Sequence, residues 1–327
     1  MRWRTHDLVT VDTHADSLGA VLEGRRRLHD AALEGQLDLG RMRQVGHTLQ
    51  FFSCFVEPEY KPERSLSRLL TYIDAFYREF EPEPHAHVIT DLASLDRLLG
   101  DPGAVGGALS VEGAEALGTD PARLRILWRL GVRLLSFTWN QRNDLADGAG
   151  EDPGGGGLSR AGRDMVRAMN DLHMILDVSH LAEAGFWDVL EVTAEPPIAS
   201  HSNCRALADH RRNLSDAQIR ALAGRGGVQG IAFVTDFLGG ARDLTRVGDH
   251  VIHHLEVVGN DRHVGLGSDF DGVPEPVVGL EDITRLPDLF EHLAQRGLSD
   301  ATIARLAGQN YVEFLRAAWG PAASPAP

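Results

Sequence analysis

Apolar residues in this 327-residue chain gather in short continuous runs, separated by stretches in which they recur every three or four positions. The runs are LVTVDTH (8–14), TLQFFSCF (48–55), GALSVEG (107–113), VRLLSFT (132–138), MILDVSH (174–180), PIASH (197–201), VQGIAFV (228–234) and HVGLGSDFD (263–271). Each has strand length, and a run apolar throughout, rather than at alternate positions, suits a parallel strand covered on both faces. The intervening stretches read as amphipathic helices: 65–80, 121–130, 159–172, 182–193, 215–224, 243–259 and 288–295. Ser159, Ser215 and Asp243 are suitable caps, and Gly224 and Gly259 suitable stops. A last helical pattern, 301–319, is expected to complete the outer layer.

Eight strands alternating with helices predict a (β/α)8 TIM-type barrel. The competing architecture is an open doubly wound sheet, which a glycine-rich nucleotide turn after the first strand would support; that strand ends in THADS, without GxGxxG. One domain is expected over 1–320, with a loose tail at 321–327 and a mobile active-site loop in the glycine-rich run 148–157.

A hydrophobic content of 43% supports a large core, and a net charge of −15 argues against a nucleic-acid partner. No apolar run approaches the ~20 residues that cross a bilayer, and the start MRWRTHDLVTVDTH lacks a leader's apolar stretch, so no membrane association and a cytoplasmic location are expected. Cys54 and Cys204 are expected to be reduced and without a role.

In a barrel the carboxyl ends of the strands meet at one mouth, so what each strand ends with carries the chemistry. Here the ends hold His14 and Asp16, Glu112, His180, His201 and Asp269. His14 and Asp16, two apart in extended chain, share a face and can grip one divalent cation. The βα connection between 180 and 201 makes their strands parallel neighbours and brings both histidines to the same edge. Five ligand-type side chains exceed the three that hold a single catalytic zinc, which points to two ions with a bridging ligand. A carbamylated lysine or a glutamate can bridge; the chain's one lysine, Lys61, lies in the loop YKPERS, so Glu112 is expected to bridge. The same scarcity of lysine disfavours Schiff-base chemistry.

Asp269 is placed to move a proton between water and leaving group, or else to orient a ligand histidine. Asp271 reads as a structural loop carboxylate. In His210-Arg211-Arg212-Asn213 one arginine can hold a substrate carboxylate in a bidentate pair, the alternative being a solvated arginine pair. His6, His29, His47, His85, His87, His250, His253, His254 and His292 read as surface residues.

The segments VDTHADSL, LDLGRMRQVGHTLQFFSCFV, ALSVEGAEALG, LLSFTWNQRNDLADG, LSRAGRDMVRAMNDLHMILDVSHL, PPIASHSNCRALADHRRNLSD, HVGLGSDFDG and GQNYVEFLR together resemble the membrane dipeptidase (renal dipeptidase) family of metallopeptidases. The resemblance covers nearly the whole chain. It implies an amidohydrolase-like barrel with two zinc ions, His14 and Asp16 on one, His180 and His201 on the other, and Glu112 bridging. It further implies that Arg212 holds the carboxylate of a dipeptide, that Asp269 transfers the proton, and that a hydroxide on the zinc pair attacks the peptide bond of substrates including L-Xaa-D-Xaa dipeptides. Where the family carries a histidine near the scissile carbonyl, this chain has Trp139. Its indole offers an N–H donor but no acceptor. Trp139 and its neighbour Asn140 are assigned to substrate contact.

Two other readings stay open: a different binuclear-zinc amide hydrolase acting on N-acyl amino acids or lactams, and a catalytically silent peptide-binding member. Substrate profiling separates them. A homodimer is an open assembly state.

Overall fold

A computed structural model of the protein describes residues 5–29, 34–273 and 275–320. Its strands are β1 Val11–Ala15, β2 Leu49–Phe55, β3 Ala86–Val88, β4 Val105–Glu112, β5 Val132–Ser136, β6 Ile175–Asp177, β7 Gln229–Ile231 and β8 Val264–Leu266. They pair in parallel in the order β6-β5-β4-β2-β1-β8-β7 and form a partly closed barrel. β2 covers one edge of β4 over Gly106–Glu112, so the other edge is shared: β3 pairs with Val105–Gly107 and β5 with Leu109–Glu112. β3 was not expected, because HAHV offers no apolar run and stays half-buried.

The expected sixth strand, 197–201, does not form a ladder. Pro196 and Pro197 open it without N–H donors, and its last amides bond to side chains instead, Ser200 to Asp177 and His201 to Ser179. Ile198 and Ala199 keep single parallel bridges to Asp177 and Gln229. Backbone bonds from Ile198 N to Leu176 O (2.9 Å), Val178 N to Ile198 O (2.8 Å) and Gly230 N to Ala199 O (2.8 Å) span the gap between β6 and β7.

Helices follow the sequence patterns to within a residue or two. Ser65–Phe80, Pro121–Arg129, Arg160–Asp171, Glu183–Val192, Asp216–Gly224, Leu244–Val258 and Leu286–Gln295 all form. Ser159, Ser215 and Asp243 cap as expected, each side chain accepting a backbone N–H. Gly259 ends its helix in the left-handed region, whereas Gly224 is the last helical residue and Arg225 the cap. Short helices at Ser17–Leu22, Leu39–Val45, Leu92–Leu99 and Thr235–Leu238 were not expected, although Leu92, Leu95, Leu98 and Leu99 repeat at helical spacing behind the cap Asp91.

Strand alternation sorts the core into two faces. Phe52, Cys54, Leu109, Val111 and Leu135 pack among the helices, while Leu49, Phe51, Ala108, Leu134 and Ile175 form a second cluster with Tyr311, Phe314 and Leu315. The last helical pattern therefore does not simply join the outer layer. It breaks into Asp300–Ala304, a π turn Arg305–Gln309 and Asn310–Ala318, and buries Tyr311 against Thr13, with its OH 3.1 Å from Thr13 Oγ1. Gly308 permits this, since a Cβ there would collide with the backbone at Val9 and Val11.

His47, His250 and His254 are buried, not surface residues. Cys54 and Cys204 are buried free thiols. Among the described residues no helix is long and apolar enough to cross a membrane. The tail 321–327 lies outside the described residues.

Candidate metal centre

The carboxyl edge of the sheet collects the polar residues. His14 is in β1 and Asp16 directly follows it, Glu112 is the last residue of β4, and His180, His201 and Asp269 sit in turns just past the sheet. His180 and Asp269 have φ of 68° and 63°, a left-handed conformation that costs a non-glycine residue about 1–3 kcal/mol and clusters at functional sites.

His14 Nε2 lies 3.6 Å from Glu112 Oε2, 3.7 Å from Asp16 Oδ2 and 3.9 Å from Asp269 Oδ1. Glu112 Oε1 lies 2.7 Å from His180 Nε2 and 3.7 Å from His201 Nε2. The two carboxylate oxygens of Glu112 therefore face different histidines. Two sets of ligand atoms, His14–Glu112–His201 and His14–Asp16–Asp269, each fall within 4.8 Å of one another. Buried His14 Nε2 and Asp16 Oδ1 have no hydrogen-bond partner. Nitrogen and carboxylate oxygen in this mixture suit zinc, so the residues fit a divalent cation of that kind.

The electrostatics agree. Burial opposes a charge on His14, but the carboxylates of Glu112 and Asp16 outweigh it and hold its pKa well above the ordinary imidazole value. Burial likewise raises Glu112, yet His14 and His180 outweigh that and leave it ionised well below the usual range. His180 falls to about 3 through burial and the Arg212 cation, so its nitrogen is a free base. Asp269 rises to about 7, chiefly through burial, with Asp16 and Glu112 adding to the shift and His14 and Arg212 opposing it. A carboxyl poised there can both take and give a proton near neutral pH.

The site opens into a cavity of about 580 Å³ whose walls include Asp16, Glu112, Trp139, His180, Arg212 and Asp269. Arg212 is buried, donates to His201 O (3.0 Å) and Ser202 Oγ (3.4 Å), and lies over the Phe237 ring. Its Nε has no partner, and among the described residues no carboxylate stands within ion-pair distance. A buried guanidinium with unspent donors is suited to a ligand carboxylate. Arg211, also at the cavity wall, is by contrast exposed and reaches Gly150 O, so the two arginines of the pair differ in burial.

Trp139 packs on Phe55, ring centroids 5.3 Å apart, and forms an aromatic wall beside His180. Asn140 is a cavity wall too, but its Oδ1 is 2.9 Å from His180 Nδ1, a contact its sequence position did not disclose. The glycine-rich run sits at the mouth. Ala149 N bonds to His180 O (2.7 Å) and Gly150 N to Asn140 O (2.7 Å), an approach that a Cβ at Gly148 or Gly150 would block. Asp271 is structural, as expected: it accepts from Ser17 Oγ (2.5 Å) and Gln36 N (2.6 Å) and pairs with Arg26.

Two buried aspartates went unread in the sequence. Asp12 Oδ1 accepts from His14 N (3.0 Å) and Ser268 N (3.1 Å); Asp177 Oδ1 accepts from Ser179 N and Ser200 N (both 2.9 Å). Each carboxylate thus ties its own strand end to a neighbouring segment where the ladder stops. The signal was present as an aspartate two or three residues before a strand-end histidine, in DTH and DVSH.

The sequence matches the profile of the membrane dipeptidase family, peptidase family M19, over residues 4–322. The chain belongs to that family. Among its relatives, dipeptidase tcpJ of Claviceps purpurea is 35% identical over 308 residues, 89% of this chain and 71% of that protein. An uncharacterized dipeptidase of Schizosaccharomyces pombe is 35% identical over 331 residues, 94% of this chain and 79% of that one. The solved structure of dipeptidase AC, an M19 metallopeptidase, superposes with a TM-score of 0.89 at 30% identity, covering 96% of this chain and 99% of its own. A Rhodobacter sphaeroides metallopeptidase, solved with a phosphinate mimic of L-Ala-D-Ala, gives 0.88 at 29% identity over 95% and 99%. Family membership makes this protein a hydrolase acting on dipeptides, with a metallopeptidase's site chemistry.

Proposed function

We propose that the protein is a binuclear-zinc dipeptidase whose substrates include L-Xaa-D-Xaa dipeptides. His14 and Asp16 would hold one ion, His180 and His201 the other, with Glu112 between them. The observation that carries this reading is a buried Arg212 with free donors in the same cavity as Asp16, Glu112 and His180, behind which His14 and His201 converge on Glu112. When bound, the zinc pair supplies an activated water and positive charge to polarise the scissile carbonyl. Arg212 pairs with the free carboxylate and so measures substrate length. Asp269 takes the proton of the attacking water and hands it to the leaving amine. Trp139 walls the cavity beside His180 and can offer its indole N–H to the carbonyl oxygen as charge develops. The R. sphaeroides enzyme, captured with an L-Ala-D-Ala mimic, supports L,D dipeptides among the substrates.

The same reading takes the scaffold as a closed (β/α)8 barrel in one domain over 1–320, because segment 198–202 bonds to both β6 and β7. A panel of L,L and L,D dipeptides, N-acyl amino acids and lactams, assayed on metal-analysed protein, tests the activity. Arg212→Met should lower kcat/KM for a dipeptide by about 2–5 kcal/mol of transition-state binding, the cost of leaving a buried charge unpaired. An unchanged kcat/KM refutes the clamp.

A further inference from the structure

Asp177 and Ser200 are both buried and are not among the cavity walls, and Ser200 links the Asp177 carboxylate to the ring of His201. Ser200 Oγ donates to Asp177 Oδ2 at 2.5 Å and sits 2.7 Å from His201 Nδ1 and 3.3 Å from Ser179 Oγ. A hydroxyl has one proton and two lone pairs. With its one proton donated to the carboxylate oxygen, the Ser200 hydroxyl can only accept from its other two neighbours, so His201 Nδ1 must carry the hydrogen. The serine's main chain is held in place: its carbonyl receives Thr13 Oγ1 (2.7 Å) and lies against Gly230 and Gly267, at both of which a Cβ would collide with it.

We propose that Asp177 and Ser200 form a buried positioning relay that fixes His201 as the Nδ1–H tautomer and aims the lone pair of Nε2 into the metal centre. Asn140 does the same for His180 through its Oδ1 at 2.9 Å from Nδ1. Both Nε2 atoms, 2.9 Å apart, then present lone pairs to each other and to Glu112 Oε1, an arrangement of acceptors that a shared cation relieves. Asp177 has a second duty, since its other oxygen holds Ser179 N and Ser200 N and ties the unladdered segment to β6.

The two duties are separable. In Asp177→Asn the remaining Oδ1 still accepts both amides, but the new NH2 donates to Ser200, which loses its acceptor there and turns its own proton to His201 Nδ1, nearer at 2.7 Å than Ser179 Oγ at 3.3 Å, sending the imidazole proton to Nε2. The functional consequence rests on His201 being a zinc ligand; the tautomer does not. The experiment uses full-length, metal-free protein labelled with 15N-histidine, with His201 assigned from the spectrum of His201→Gln, followed by zinc competition against a chelator. The parent should show Nδ1–H, Asp177→Asn should show Nε2–H, and its zinc affinity should fall about 10–100-fold. Ser200→Ala keeps the amide clamp, removes the acceptor, and should give mixed tautomers with about tenfold weaker zinc. It decides the matter if Asp177→Asn fails to fold. An Nε2–H parent, or a folded Asp177→Asn and Ser200→Ala that both retain Nδ1–H and parental zinc affinity, overturns the relay. Tautomers that shift as described while His201→Gln binds zinc as tightly as the parent leave the relay standing and refute the ligand assignment instead.

Discussion

His180 and His201 at the strand ends and His250 and His254 on the helix Leu244–Val258 are equally withdrawn from solvent, yet they live in different chemistry. His250 spends both ring nitrogens on the backbone: Cys204 N donates to Nδ1 at 3.1 Å and Nε2 bonds to Leu238 O at 3.0 Å. The strand-end pair use one nitrogen on a polar partner and turn the other toward Glu112. Burial of a histidine therefore says little about its role. What separates a fastening from a ligand is whether the second nitrogen faces carboxylates in a cavity.

The largest effect that can break this comparison is at the shared carboxylate. Glu112→Gln should lower kcat/KM by more than about 100-fold, beyond the loss typical of removing a group that only supports a ligand, and should lower bound zinc in parallel. Full activity and metal content would put the strand-end histidines on the same footing as His250.

Acid titration gives the next contrast. Burial pulls His250 down to about 4 and His254 to about 3, so the unfolded chain, titrating near 6.5, binds protons that the fold refuses. Their contribution is complete above about pH 6.5 and is lost as pH falls toward 4, by roughly 3 kcal/mol for each. His14, held above its ordinary value by Glu112 and Asp16, has the opposite sign in metal-free protein: its contribution is present below about 6.5 and lost as pH rises through its folded pKa. Urea unfolding of metal-stripped protein across this range checks both slopes. His250→Leu should flatten the acid slope and, by orphaning Cys204 N and Leu238 O, cost about 1–3 kcal/mol at neutral pH with catalysis unchanged.

The smallest effect belongs to His253, the partly exposed neighbour paired with Asp216 at 2.8 Å. His253→Gln should move stability by less than about 1 kcal/mol and leave activity alone; a larger change in the same urea titration would show that this surface pair is stronger than its exposure allows.

Much of this was legible in the chain. Continuous apolar runs marked seven strand segments, because a parallel strand buried on both faces needs apolar side chains at every position. Capping residues marked helix starts, because Ser159, Ser215 and Asp243 answer local amides a few residues away. Segment 197–201 misled because its residues are strand-like while only Ile198 and Ala199 bond to the neighbouring backbone; the amides of Ser200 and His201 go to the side chains of Asp177 and Ser179. Buried His250 misled for a related reason: its partners, Leu238 O and Cys204 N, belong to other elements.

The sequence by itself determined seven of the strands, seven of the helices and the polar side chains at the ends of those strands, since periodicity and local capping are properties of neighbours along the chain. Only the tertiary structure decided which oxygen of Glu112 meets which histidine, that Arg212 rather than Arg211 is buried in the cavity, and that Asp177 and Ser200 stand behind His201. Those relations depend on strand register and on turns that bring distant residues into contact, such as His14 and Ser268, 254 positions apart. No local pattern encodes such distances.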